Sequence, residues 1–192
     1  MLIAAFSTAT GAQSVRNATG VKPRVFPPSS MGEFKAEWLQ GFDVLYFHLH
    51  GLAHQGYWYG DKWTTAMSDD QIRGCKLTGA VAFVANCYGL GSKMSQALLD
   101  AGCTAVVAGP ETNYGKRGGA VRGADLLGQF FIGALTRANA VRYERTNPAE
   151  ALRLAKTGLE IYLQKRGPIW RKLFSGPERD ALEFQIQQRE IT

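Results

Sequence analysis

The chain has 192 residues, 45% of them hydrophobic, and a formal net charge of +6. That length supports one well-buried core and is short for two domains. The composition has neither the charge excess of disorder nor an apolar run long enough to span a membrane, and the basic residues are scattered, densest from Lys165 to Lys172 beside Trp170, so the charge reads as solubility and not as a nucleic-acid face.

Leu2 to Phe6 is a short apolar run closed by Ser, Thr and Gly, which predicts a buried strand; without a basic segment before it, it does not read as a signal peptide. A short strand is predicted at Arg24 to Phe26, stopped by two prolines. Met31 to Gln40 has helical spacing, with Phe34, Trp38 and Leu39 on one side. Val44 to His48 is a second buried run. It leads into a loop that contains all three histidines, His48, His50 and His54. "GYWYGDKWTTA" predicts a hairpin with Gly60-Asp61 at its turn. Ser68 opens a short helix, with Asp69 and Asp70 in its first turn.

Ala80 to Ala85 is the next buried strand, ended by Asn86-Cys87. A glycine-rich turn then feeds a helix capped by Ser92 and closed by Gly102. Cys103 to Ala108 follows as a strand stopped at "GPETN". The loop "YGKRGG" leads to a long helix from about Ala124 to Tyr143. Asn147-Pro148-Ala149-Glu150 reads as a capping box opening another helix, to about Gly167, and one or two short helices are expected beyond it. Short continuous apolar strands alternating with helices predict an α/β sandwich of three layers with a largely parallel central sheet. In such sheets the ligand site lies beyond the carboxyl ends of the strands, where His48, His50, Cys87 and Glu111 all fall.

Two chemistries fit histidines at a strand end. A metal is the first. "HLHGLAH" is similar to the H-x-H-x-D-H cluster of metallo-hydrolases, with His54 as a candidate third ligand, but Leu52 and Ala53 stand where the carboxylate and next histidine belong. A catalytic zinc takes three protein ligands with support behind them. No metal and no other cofactor is therefore expected, and a metal-dependent hydrolase stays as a rival. The second chemistry is a thiol. Cys75, Cys87 and Cys103 form no even framework and no CxxC pair, which points to a reducing, cytoplasmic setting. Cys87 sits between a buried strand and a glycine turn, so it is presented outward near a helix N-terminus. Cys103 reads as a packed small hydrophobe and Cys75 as an incidental loop thiol. Every histidine precedes Cys87, the reverse of the order in glutaminases, α/β-hydrolases and papain-like enzymes.

An apolar strand ending in His-Gly, followed by one ending in Cys, resembles the caspase, gingipain and separase group of cysteine peptidases. "DVLYFHLHG" and "AVAFVANCYG" carry the resemblance, and "NPAEALRLAKTGL" is similar to the carboxyl-terminal helix of bacterial CHAT domains. The likeness extends from Asp43 to Leu159. It implies one caspase-like domain over 1–167 with a helical tail over 168–192. It also implies a cysteine endopeptidase with His50 as catalytic histidine, Cys87 as nucleophile, and the backbone N–H groups of Gly51 and Cys87 as oxyanion hole. His48 is then a strand residue packed beneath the site. Ala85 and Asn86 replace the Gln-Ala of caspases, so Asp specificity is not implied. Relatives that cleave after Arg or Lys hold that side chain with an acid; Glu111 is the expected one here, with Asp69 and Asp70 as rivals. The expected partners are a protein or peptide substrate and an activating protein. A catalytically inactive scaffold using exposed aromatics such as Tyr57, Trp58, Tyr59 and Trp63 is the alternative.

Overall fold

A computed structural model of the chain describes residues 2–7, 9–20, 22–26, 31–113, 121, 123–142, 147–165 and 177–189. Six strands form the central sheet: β1 (Ile3–Ser7), β2 (Arg24–Phe26), β3 (Val44–His48), β7 (Val81–Val84), β8 (Ala105–Ala108) and β9 (Gln185–Gln188). Their order is β2-β1-β3-β7-β8-β9, parallel from β2 to β8, with β9 antiparallel on the edge. Three short strands, β4 (His50–Gly51), β5 (Tyr57–Tyr59) and β6 (Thr65–Ser68), make a separate antiparallel sheet. Among the described residues the helices are α1 (Ala9–Thr19), α2 (Asp69–Arg73), α3 (Lys93–Asp100), α4 (Gly123–Arg142), α5 (Pro148–Lys165) and α6 (Pro177–Leu182).

Both faces of the central sheet are covered, which is why its strands read as unbroken apolar runs and not as alternating ones. Leu45, Phe47, Ala82 and Val84 face a core completed by Trp58, Ile72, Met94 and Leu98. Val44, Tyr46, Val81 and Phe83 face the opposite core, with Val15, Leu127, Phe131 and Leu159. The chain is therefore a three-layer α/β sandwich around a largely parallel sheet. Among the described residues no helix is long and apolar enough to cross a membrane.

Local signals placed several elements well. Ser68 and Gln71 form a reciprocal capping box at α2, and Ser92 caps α3 by accepting the N–H of Ser95. Asn147 receives the N–H of Ala149 at the start of α5, while the Glu150 carboxylate pairs with Arg153.

Other segments differ from expectation. Residues 31–40 hold two 3-10 turns, Met31–Glu33 and Ala36–Trp38, because Lys35 between them is extended. Their apolar residues still pack: Trp38 stacks on Phe26 and Leu39 is fully buried. The hairpin turn is longer than Gly60-Asp61, running through a 3-10 turn at Asp61–Trp63 and closed by a bond from Gly60 N–H to Thr64 O. The tail is only partly helical. After α6 it adds β9 to the sheet, with Ala181 and Phe184 buried in the core. Residues 166–176 lie outside the described residues.

Candidate active site

The two sequence blocks meet at the carboxyl ends of neighbouring strands. Phe47 of β3 is in register with Val84 of β7, and the Ala85 N–H continues the ladder to Phe47 O. One residue on, a side chain takes over. The Leu49 N–H donates to Asn86 Oδ1 at 2.6 Å, so the buried Asn86 clamps the chain leaving β3 to the end of β7. Its own carbonyl accepts from Asn113 Nδ2 at 2.7 Å, and its Nδ2 is buried without a partner among the described residues.

Cys87 follows directly. Tyr88 then takes a positive φ of 51°, which turns the chain sharply and leaves Cys87 at the apex. Bonds from Tyr88 N–H to Glu111 O and from Leu90 N–H to Gly109 O fix this turn against the exit of β8. Cys87 is half-buried. The Asn113 N–H donates to its sulfur at 3.3 Å, and the thiol donates to Asn113 O at 3.4 Å. An N–H aimed at sulfur serves a thiolate as well as a thiol. Burial pushes the other two thiols up, Cys75 to about 11 and Cys103 to about 12.

Gly51 lies against this apex. A Cβ placed on it would collide with the Cys87 carbonyl oxygen, so only glycine permits the approach. His50, one residue earlier, is exposed and stacks its ring on Trp63, with centroids 4.7 Å apart and planes 19° apart. His48 lies lower, at the end of β3. Its Nδ1 bonds Asp125 Oδ1 at 2.8 Å, the same oxygen that accepts the Tyr46 hydroxyl at 2.6 Å. Burial disfavours the charged form of His48, but the hydrogen bond and the charge of Asp125 outweigh it and raise its pKa. Burial first, then Asp125, raises the Tyr46 hydroxyl well above its ordinary value. His54 occupies the exposed loop after β4 with a φ of 64°.

The three candidate acids are placed differently. Glu111 is exposed, and its backbone carbonyl is the partner of the residue after Cys87. Asp69 is held by Arg73 at 2.8 Å and packs beneath Gly56. Asp70 is open to solvent, 3.5 Å from the same arginine. The loop from Tyr114 to Gly119 lies outside the described residues. Among the described residues no group of three or more His, Cys, Asp or Glu is arranged to hold a metal ion.

Three site residues have no motif in the sequence: Asn113, Asp125 and Trp63. Asp125 is an acid in the first turn of α4, which ordinarily means a solvated carboxylate. Only the tertiary fold puts it under β3.

No protein-family model matches this chain, and no curated protein matches it in sequence. Among solved structures it is similar to the Arg specific cysteine proteinase gingipain R (RgpB), with a TM-score of 0.59 and 12% identity, covering 98% of this chain and 46% of that one. It is also similar to the complex of the pro- and mature domains of RgpB from Porphyromonas gingivalis, with a TM-score of 0.59, 9% identity and coverage of 98% and 47%. The chain thus spans about half the length of these neighbours. What is shared is the fold, a three-layer α/β sandwich around a largely parallel sheet.

Proposed function

We propose that the chain is a cysteine endopeptidase in which Cys87 is the nucleophile and His50 the acid and base. The observation that carries this reading is the contact of Gly51 with the Cys87 backbone, which unites the His-Gly and Cys blocks at one point. The Cys87 thiolate attacks the scissile carbonyl carbon, and the N–H groups of Gly51 and Cys87 receive the developing oxyanion. His50 gives a proton to the leaving amine. It then takes one from the water that hydrolyses the thioester.

The reading extends to specificity. Gingipain R is described as Arg specific, and Glu111, leaving β8 beside the Cys87 turn, supplies a carboxylate for a basic side chain. Asp69 is the weaker rival because Arg73 already occupies it. The substrates are then proteins or peptides. The resemblance to CHAT domains extends the reading to an activating partner, and three free thiols suit the cytoplasm. An inactive scaffold remains the second reading, supported by the exposure of Tyr57 and Trp63.

Cleavage of a peptide library separates the two. Cys87→Ala and His50→Ala should each abolish cleavage with the fold intact, and Cys75→Ser should not. Cleavage that survives Cys87→Ala removes the peptidase reading.

A further inference from the structure

His48 and His50 are oriented by different kinds of partner. In nucleophilic enzymes the base is itself held by a third group, commonly a carboxylate. Here the carboxylate, Asp125, holds His48. Among the described residues no side chain hydrogen-bonds the His50 ring, and its ring partner is the indole of Trp63. We infer that Trp63 is the positioning residue for His50, doing by stacking what a carboxylate does elsewhere. The inference rests on His50 being the acid and base of the site.

The geometry that sets up the stack is specific. Pairing of β4 with β5 puts His50 opposite Tyr59. The segment after Tyr59 then loops back on itself, closed by the bond from Gly60 N–H to Thr64 O. To do so it carries Lys62 at φ 56° and Trp63 at φ 61°, two successive non-glycine residues in the left-handed region. A bulky side chain rarely adopts this conformation, and such outliers gather where a side chain must be aimed. The result puts Trp63 against both Tyr59, at 5.9 Å, and His50. Trp63 is nevertheless 57% exposed, so it contributes little to the core. Stacking covers the face of the imidazole and leaves its nitrogen edge open. It therefore fixes the plane of the ring without blocking proton transfer.

The experiment reads His50 and Cys87 separately from peptide turnover. Alkylation of Cys87 by iodoacetamide near neutral pH, followed by mass spectrometry of its peptide, reports how well a base is aimed at the thiol. The sulfur displaces iodide and its proton passes to the base. His50→Ala should slow the reaction. Trp63→Ala should slow it by about tenfold, the scale on which lost orientation acts, and Trp63→Phe should keep it within roughly twofold of the native rate because a flat ring is retained. Thermal unfolding of Trp63→Ala should be unchanged. The imidazole proton resonances of His50 should lose their ring-current displacement in Trp63→Ala and keep part of it in Trp63→Phe. If His50→Ala slows alkylation and Trp63→Ala does not, or accelerates it, the positioning role is wrong while the peptidase reading stands. If His50→Ala leaves the rate unchanged, both fall together.

Discussion

His48 and Asp125, 77 residues apart in the chain, share a hydrogen bond of 2.8 Å that joins the end of β3 to the first turn of α4. The Asp125 side chain is 2% exposed, so this carboxylate has left water and depends on His48 and Tyr46 for its partners. The bond anchors the residue two positions before His50. Its protonation state is therefore a property of the site's foundation.

That relationship sets a pH dependence. The folded pKa of His48 is raised, and the unfolded value is about 6.5. A group whose pKa rises on folding contributes its full stability below the unfolded pKa and loses it as pH rises through the folded one. The free energy of unfolding should accordingly fall as pH rises from about 6.5 through the raised pKa. In Asp125→Asn this part of the slope should disappear, because the charge that favours the imidazolium is gone. Urea denaturation across this range measures it; an unaltered slope in Asp125→Asn would show that the pair does not titrate with folding.

Gly51→Ala should damage both stability and activity. The new Cβ meets backbone, the Cys87 carbonyl oxygen, and not a flexible side chain. Overpacking of this kind costs about 1–3 kcal/mol. Denaturant unfolding should register that loss, and cleavage should fall further still, since the two N–H groups proposed for the oxyanion move apart. A stable and fully active variant would mean that the approach of these segments is not needed.

Glu111 is exposed in the free chain, and substrate bound over it would take the ion pair out of water, so Glu111→Gln should reduce cleavage after Arg on the order of 10²-fold or more. Neutral-residue substrates should suffer far less. The same preference predicts self-processing at Lys116 and Arg117, which mass spectrometry of aged protein would detect with Cys87→Ala as the control. A substrate profile favouring Asp, or one indifferent to Glu111→Gln, would assign the specificity elsewhere.

Chelation should leave cleavage unaffected, because Leu52 and Ala53 stand where the carboxylate and next histidine of an H-x-H-x-D-H metal cluster belong. Loss of activity together with a stoichiometric zinc would move the protein to another class.

How much of this was legible in the sequence follows from burial. β3, β7 and β8 are covered on both faces, so each announces itself as a run such as VLYFH, VAFV or AVVA. The edge strand β9, QIQQ, is polar and half-exposed, and only its pairing with β8 makes it a strand. Helix α1 reads ATGAQSVRNAT, rich in turn-forming residues. Its helicity comes from packing, with Ser14 and Val15 fully buried. At the site, His50, expected in the loop after His48, instead forms the short strand β4 of the antiparallel sheet. The strand ends at His48 and before Cys87 were readable, because local pattern fixes where a strand stops. Their neighbours were not. Asp125 reaches His48 from the first turn of α4, Asn113 reaches Cys87 from the segment after β8, and Trp63 reaches His50 through a left-handed turn that no short-range pattern encodes.

The most direct test of the central claim is covalent trapping. A peptidyl acyloxymethyl ketone ending in Arg delivers an electrophilic carbon to the nucleophile and loses its carboxylate as the sulfur bonds. Mass spectrometry of the digested protein should find the adduct on Cys87 alone, at one per chain, and its formation should be abolished by His50→Ala and greatly slowed by Glu111→Gln. An adduct on Cys75 or Cys103, or peptide cleavage that continues at the native rate after Cys87 is fully modified, would contradict the account.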